Sequence, residues 1–370
     1  MHKSLLALAA LMLFATPAIA LDLDNTYLPE LDTTRFRRDV RVPDILGLQT
    51  LKCDFHLHTI FSDGLVWPTV RVLEAWMDGL DAIAITDHLE DYPRKTHVGG
   101  DDNSAYEIAK GAAAEHNILL VHGAEITRDM PEGHYNALFL SDANALDVED
   151  FMDAVEAAIE QGAFVQWNHP GWKEQQPKHT HWLEVPDILH KKGWLHGIEV
   201  FNFRNWYPVA LGWCIEKNLT VTGNSDIHGI VREQYDLSET QRPMTLVFCE
   251  ERSIPALREA LFAGRTATWF SRYLAGQAAY LEALFQAAVK AHPPHMRDSR
   301  GARRIRVSNA SDIPFTLSGA GPWRGSATLP PRGSSIIHVR GDADTTRVRV
   351  TNCYVDAEKT LSTTLALPAE

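Results

Sequence analysis

Cysteine is scarce in this sequence. Four residues in 370, Cys53, Cys214, Cys249 and Cys353, are too few and too scattered for a disulfide framework. Cys53 and Cys249 fall in apolar runs where a small buried thiol is the expected reading, and a single disulfide is left open. Positive charge is short as well. Lys and Arg total 35 against 48 acidic residues, a formal net charge of −13. That balance gives no general attraction to DNA or anionic lipid, so no nucleic-acid partner is expected. Beyond residue 20 no apolar run is long enough to cross a bilayer, so no membrane insertion is expected. Disorder is excluded from the other side: 45% of residues are hydrophobic and only 22% charged.

Residues 1–20 are different in kind. Lys3 gives a positive start, Leu5 to Phe14 is unbroken and apolar, and Ala18-Ile19-Ala20 is a small-residue cleavage site. This is the pattern of a secretory signal, and no cysteine follows it to carry a lipid. The expectation is an exported protein, periplasmic in a Gram-negative source.

From Leu51 to about Trp269, short apolar runs alternate with helical or loop segments. The strand-like runs are 51–56, 81–86, 118–124, 163–168, 197–201, 219–223 and 245–249, with 134–140 as a further candidate. Helical patterns lie at 69–77, 105–115, 148–161 and 254–262. Such alternation predicts an α/β domain with a largely parallel sheet. Several runs end in polar clusters, and chemistry at strand C-termini favours a barrel over an open sheet. Residues 274–291 read as a helix, and the breaker-rich segment after it gives way to a period of two. We therefore expect a leader (1–20), a barrel (21–272), a helical connector (273–292) and a small all-β sandwich (293–370). The arginines at 303, 304, 306, 347 and 349 read as a solvated face.

Histidine carries the functional signal. Of 17 histidines, 13 lie between residues 56 and 228. His-x-His is weak evidence by itself, since chance predicts about 0.8 occurrences at this frequency. The chain has two, and context separates them. His56 and His58 close an apolar run, where residues two apart share a face and stand about 7 Å apart, close enough to bind one ion. Ser62-Asp63-Gly64 follows as a turn bearing a carboxylate. His179 and His181 lie in a polar loop with no strand before it. His122 has the wrong parity to face Glu125, and His97, His116, His190 and His196 have no placement that argues for ligation.

The ordered motifs CDFHLHT…SDG, AITDHLE, GAEI, GHYN, WNHP and NSDIHG, spread over residues 50–270, resemble the PHP (polymerase and histidinol phosphatase) family of metal-dependent phosphoesterases. The resemblance implies a distorted seven-stranded α/β barrel with two or three metal ions at the strand C-termini. It implies His56, His58, Glu125 and Asp226 on a first ion, Glu125 bridging to a second held also by His134 and His169, and Asp63, His88 and His228 on a third. Six imidazoles and three carboxylates without a thiolate suit Mn, Zn or Fe as divalent ions. Three such ions and a bridging hydroxide would leave a local charge of about +2, an anion trap in an acidic protein.

The expected activity is hydrolysis of a small-molecule phosphate ester by attack of a metal-bridging hydroxide, with Asp226 also handling a proton. Phosphodiesters are favoured over monoesters, because the loop after His169 offers Trp172 and Trp182 as an aromatic wall and no multi-arginine clamp is evident. A phosphomonoesterase of the histidinol-phosphatase type, a metal-dependent amidase or lactonase, and a non-catalytic binding protein are the alternatives. Arg204 and His179 are the expected substrate contacts, with Lys173, His181, Arg94 and Lys95 as weaker ones.

Overall fold

The strand-like runs owe their near-continuous apolar character to burial on both faces, as in parallel sheets covered by helices. In the computed structural model, which describes residues 25–369, every residue of β2 (Ala82–Ile85), β5 (Phe164–Trp167), β6 (Gly197–Asn202), β8 (Thr220–Asn224) and β9 (Met244–Cys249) is buried. The expected leader lies outside the described residues. The chain divides into two compact units, residues 1–36 and 37–370. Of the first, the described part carries one 3-10 turn, Pro29–Leu31. Everything below concerns the second. Among the described residues no helix is long and apolar enough to cross a membrane.

A seven-stranded barrel forms from β1 (Gln49–Asp54), β2, β3 (Leu119–Thr127), β4 (His134–Leu138), β5, β6 and β8. Pairing is parallel through β1–β2–β3, antiparallel on both sides of β4, and parallel again through β5–β6–β8. A parallel bridge between Leu57 and Ile227 closes the ring just beyond the ends of β1 and β8. The antiparallel β4 is the distortion. Before the closing bridge β1 pairs antiparallel with β9 from Gln49 to Cys53, and β9 pairs antiparallel with β10 (Thr266–Phe270). Gly223 is required where β10 crosses β8, because a Cβ there would fall 1.8 Å from Thr268 Oγ1.

Helices α1 (Pro68–Met77), α2 (Ser104–Glu115), α3 (Phe151–Glu160), α4 (Glu184–Lys192), α5 (Pro208–Lys217), α6 (Val231–Gln234) and α7 (Ile254–Phe262) follow successive strands. Their starts are chemical. Asp150 accepts hydrogen bonds from the Met152 and Asp153 amides at the head of α3, and Ser253 accepts one from Ala256 at the head of α7. The first turn of α4 carries Glu184 and Asp187, its last turn carries His190, Lys191 and Lys192, and Gly193 ends it at φ +72°.

The expected connector is three elements rather than one helix. β11 (Tyr273–Gly276) returns along β10, α8 (Ala278–Ala288) buries Leu281, Leu284 and Phe285, and β12 (Val289–Ala291) already pairs with β14 (Arg303–Asn309). The all-β part therefore starts at 289, not 293. One of its sheets contains β12, β14, the two-residue β13 (Met296–Arg297) and β17 (Ser334–Val339). The other contains β15 (Phe315–Gly319), β16 (Ser326–Leu329), β18 (Thr345–Tyr354) and β19 (Thr360–Ala366), and β18 joins the barrel sheet by pairing parallel with β11. Arg304, Arg306, Arg347 and Arg349 line outward faces, but Arg303 does not. It shares the parity of Ile305, is buried, and donates to the Gly341 and Ala343 carbonyls. The four cysteines are buried and unbridged.

Candidate metal centre

Six strand ends converge at one mouth of the barrel. β1 stops at Asp54, and the next residues run extended along β2 and the end of β8, so His56 and His58 point the same way. Both are completely buried. Buried Arg71 on α1 ties this corner together by donating to the carbonyls of His58, Ile227, His228 and Gly229. The Ser62-Asp63-Gly64 turn folds back over His58. Only glycine fits at 64, since a Cβ would lie 2.6 Å from the His58 carbonyl carbon and the Thr59 nitrogen.

Glu125, on β3 and fully buried, is the centre of the cluster. Its Oε2 lies 3.4 Å from His56 Nε2, 3.5 Å from His58 Nε2 and 2.9 Å from His88 Nδ1. Its Oε1 faces the other way, 3.3 Å from His134 Nδ1 and 3.7 Å from His169 Nε2. Asp226 follows β8 and brings Oδ1 to 3.3 Å from His56 Nε2 and 3.0 Å from His58 Nε2. Asp63 Oδ1 sits 3.1 Å from His228 Nε2 and 3.6 Å from His88 Nε2. His169 and Asp226 both hold left-handed backbone, φ +28° and +49°, at the residue where the strand turns outward, a strain that aims their side chains into the mouth.

Three overlapping sets result, each with its donor atoms mutually within 4.8 Å: His56, His58 and Glu125; Glu125, His134 and His169; and His58, Asp63, His88 and His228. All nine residues expected at the site are thus together. The grouping differs in two respects: His58 also reaches the Asp63 set, and Asp226 falls in none of the three, joining the cluster through its contacts to His56 and His58. Seven of the nine hold a buried polar atom with no hydrogen-bond partner: His56 Nε2, His58 Nε2, Asp63 Oδ1, Glu125 Oε2, His134 Nδ1, His169 Nδ1 and Asp226 Oδ1. All but the His169 atom face a neighbour in the cluster, where His169 presents Nε2 instead. Buried polar atoms are rarely left so, and a divalent cation satisfies imidazole nitrogens and carboxylate oxygens together.

Electrostatics in the bare site follow from crowding. Burial would raise the Glu125 carboxyl, but His88, His56 and His134 hold it well below the usual range. Asp226 behaves alike, burial opposed by His56 and His58. Burial, with His228 and His88 beside it, drops His58 to about 3. Burial also acts to lower His88, yet Glu125 and Asp63 raise it to about 9.

A second layer orients these groups. Glu199 Oε1 lies 2.9 Å from His56 Nδ1 and accepts from Asn224, while Oε2 accepts from the His169 amide and from Asn202. Asn168 donates to Glu125 Oε1 at 2.7 Å, and Asn202 to Asp226 Oδ2 at 3.1 Å. Asp54, below His56, pairs with buried Arg242 at 2.7 Å. The sequence reading did not single out Glu199. Its signal was there, a carboxylate inside an otherwise apolar strand, which burial tolerates only with partners.

The mouth is a cavity of about 390 Å³ lined also by Trp172, Asn202, Phe203, Asn205 and Gln234. Trp172 packs on His134 and His169, as expected of an aromatic wall. Trp182 does not join it, being packed edge to face on Trp167 and Trp213 at the margin of the core. Arg204 does not reach the metal centre either. The chain reverses at Phe203 (φ +52°), and Arg204 comes out beyond the wall, its guanidinium over the Phe203 ring and bonded to the Gln234 carbonyl. His179 is exposed in its loop, its ring beside that of His181. Lys173 is likewise exposed and bonds the Lys178 carbonyl, and Arg94 ties down the Ser62 and Gly64 carbonyls. His122 turns away as its parity predicts, onto Tyr106 and the Leu140 carbonyl.

Known proteins place this arrangement. Residues 289–366 match a family described as an Ig-like domain. No curated protein matches the chain. Among solved structures, a two-domain protein of Bacteroides vulgatus containing a predicted PHP-like metal-dependent phosphoesterase is 40% identical. It aligns over 90% of this chain and 100% of its own, with a TM-score of 0.86. A candidate metal-dependent phosphoesterase of Bifidobacterium adolescentis is 19% identical over 57% of this chain and 96% of its own, with a TM-score of 0.41. An amidohydrolase of Chromobacterium violaceum with bound sulfate and no metal is 16% identical over 49% and 89%, with a TM-score of 0.38. Those two are too distant to bear on function. The first is not, and by its likeness over nearly the whole chain this protein belongs to the PHP-like metal-dependent phosphoesterases, in the two-domain form with a C-terminal Ig-like β-domain.

Proposed function

We propose that the protein is an exported hydrolase of small phosphodiesters, working at a centre of two or three divalent ions held by His56, His58, Asp63, His88, Glu125, His134, His169, Asp226 and His228. The observation that carries this reading is the set of buried, unpartnered donor atoms on His56, His58, Asp63, Glu125, His134 and Asp226, which converge beside one open cavity lined by the last four. Bound divalent ions supply Lewis acidity there and make coordinated water acidic enough to act at neutral pH.

The chain's own residues then set the substrate. Among the described residues, none that lines the mouth is a lysine or arginine, while Asp63, Asp91, Glu125 and Asp226 all line it. With no cationic clamp, a dianionic monoester depends on the ions alone for its second charge, and a monoanionic diester is the better match. Trp172 and Phe203 offer flat apolar surface to the ester group, and Asn202 and Asn205 line the same space. Asp226 Oδ2 is held by Asn202, which leaves Oδ1 to hold the proton of the attacking water as well as to ligate.

The test is direct. Protein stripped with a chelator and reloaded singly with Mn²⁺, Zn²⁺ or Fe²⁺ is assayed on bis(p-nitrophenyl) phosphate and p-nitrophenyl phosphate. We expect no turnover in the stripped protein or in His56→Ala, and a kcat/KM at least about tenfold higher for the diester with the best metal. An equal margin for the monoester would reverse the substrate assignment, and a metal-loaded protein inert to both would end the reading.

A further inference from the structure

A second cavity, about 430 Å³, lies directly behind the wall of the metal mouth. The wall is the hairpin of β6 and the two-residue β7 (Asn205–Trp206), paired Asn202 to Asn205 and Phe201 to Trp206 around the turn at Phe203. Its residues divide between the two spaces. Asn202 and Asn205 line the metal side, Phe201, Arg204 and Trp206 line the far side, and Phe203 lines both. One side chain thus separates the cavities.

The far cavity is built of rings. Phe270 stacks on Phe201 at 4.3 Å between centroids and on Trp206 at 5.0 Å. Tyr354 closes the opposite side, 5.6 Å from Trp206 and 6.0 Å from Tyr273. Two guanidiniums cap rings at its edge, Arg204 over Phe203 and Arg272 over Tyr273. Trp206, Tyr273 and Tyr354 are only half-buried, so the stack is open to a ligand rather than sealed as core. Tyr354 is contributed by β18, a strand of the Ig-like domain, which enters the barrel sheet beside β11. The cavity is therefore complete only when both domains are present.

We infer that this cavity is the subsite for a flat aromatic group on the ester, with the Ig-like domain supplying one of its walls. The inference rests on the phosphodiesterase reading and extends it. A phosphodiester has two organic arms. One is accommodated beside Trp172 in the mouth, and the other passes Phe203 to pack against Trp206 and Tyr354. With the Arg204 and Arg272 guanidiniums over the neighbouring Phe203 and Tyr273 rings, the cavity favours a planar, electron-rich or anion-linked group, and its volume suits one ring system.

Two diesters sharing one leaving group isolate the second arm: bis(p-nitrophenyl) phosphate and methyl p-nitrophenyl phosphate. In Trp206→Ala, and separately in Tyr354→Leu, the ratio of their kcat/KM values should fall at least tenfold from that of the wild type. Thermal unfolding verifies that each variant is folded, and two variants on different domains guard against one that is not. Calorimetric titration of the chelator-stripped protein with diphenyl phosphate gives a readout without turnover. Wild-type protein should bind it, and both variants should bind at least tenfold more weakly. Unchanged selectivity together with unchanged binding overturns the subsite. Binding that depends on Trp206 and Tyr354 in a protein inert as a phosphodiesterase keeps the aromatic site and removes the hydrolase reading. Turnover with unaltered selectivity does the reverse.

Discussion

At the scale of single residues, the candidate centre depends as much on Glu199 as on any ligand. Its carboxylate takes four hydrogen bonds, from the His56 ring, the His169 amide, Asn202 and Asn224. It thereby fixes the tautomer of His56, whose Nε2 is left to face the ions, and seats the backbone of His169. In Glu199→Gln the shape is kept, but an amide NH₂ must point at one of those four donors. We expect divalent-ion affinity to fall by about 10–100-fold, read by competition against a chromogenic chelator, while the helical circular dichroism stays as in the wild type. Unaltered affinity would show that the four contacts do not position the ligands. The nine candidate ligands were legible through the ordered motifs that carry the family resemblance, and most of them, though not Asp63 or His134, close an apolar run. Glu199 was hidden inside such a run, where only its charge betrayed it. Arg204 was misplaced for a local reason: a turn with positive φ at Phe203 reverses the chain, so a place just past a strand end does not bring the residue to the mouth.

At the scale of elements, β5 and β6 meet through a histidine. His196, just before β6, donates its amide to the Val165 carbonyl, and its Nδ1 accepts the Val165 amide at 3.0 Å. The ring lies between Phe164 and Phe262. Burial, with Arg258 adding to it, lowers this imidazole to about 4. An unfolded histidine titrates near about 6.5, so between those values the unfolded chain binds more protons than the folded one. Stability from this group is complete above the upper value and drains away as pH falls through the window, by at most about 1.4 kcal/mol per pH unit. His196→Asn keeps an acceptor at the same distance from the backbone and does not titrate. Urea unfolding from pH 7 to 4.5 should show the wild type losing stability relative to the variant as pH drops. A difference between the two that does not vary with pH would remove His196 as the cause. The elements themselves were mostly readable, with all seven barrel strands found within a few residues. Helices α4 and α5 were not among the helical patterns, and each carries a proline, Pro186 and Pro208. Both prolines lie in a first turn, where the missing amide is one the helix does not use.

At the scale of the whole molecule, residues 37–370 hold together through an apolar core that ignores the domain boundary. A single cluster runs from Ile83 and Leu246 in the barrel, through Leu274 on β11 and Phe285 on α8, to Phe315, Val348 and Leu365 in the Ig-like domain. Phe285 and Phe315 meet edge to face at 5.4 Å, and β11 and β18 share backbone hydrogen bonds. A linker between independent domains crosses few contacts, whereas here a helix and two strands are common property. Unfolding the Ig-like domain alone would bare one face of α8 and the edge of β11, leaving Leu281, Leu284 and Phe285 in water. Each such side chain costs about 1.5–3 kcal/mol to expose, so a half-folded state lies well above both end states. The expected calorimetric result for the metal-free protein is one endotherm whose van't Hoff and calorimetric enthalpies agree. A chain ending at Ala288 should fail to give a soluble, cooperatively unfolding product, for it keeps α8 and loses what α8 packs against. Two resolved endotherms, or a truncated barrel that melts sharply by itself, would mean that the boundary is mechanical after all. In that event the aromatic wall lent by Tyr354 would be a separable attachment instead of part of one folded body.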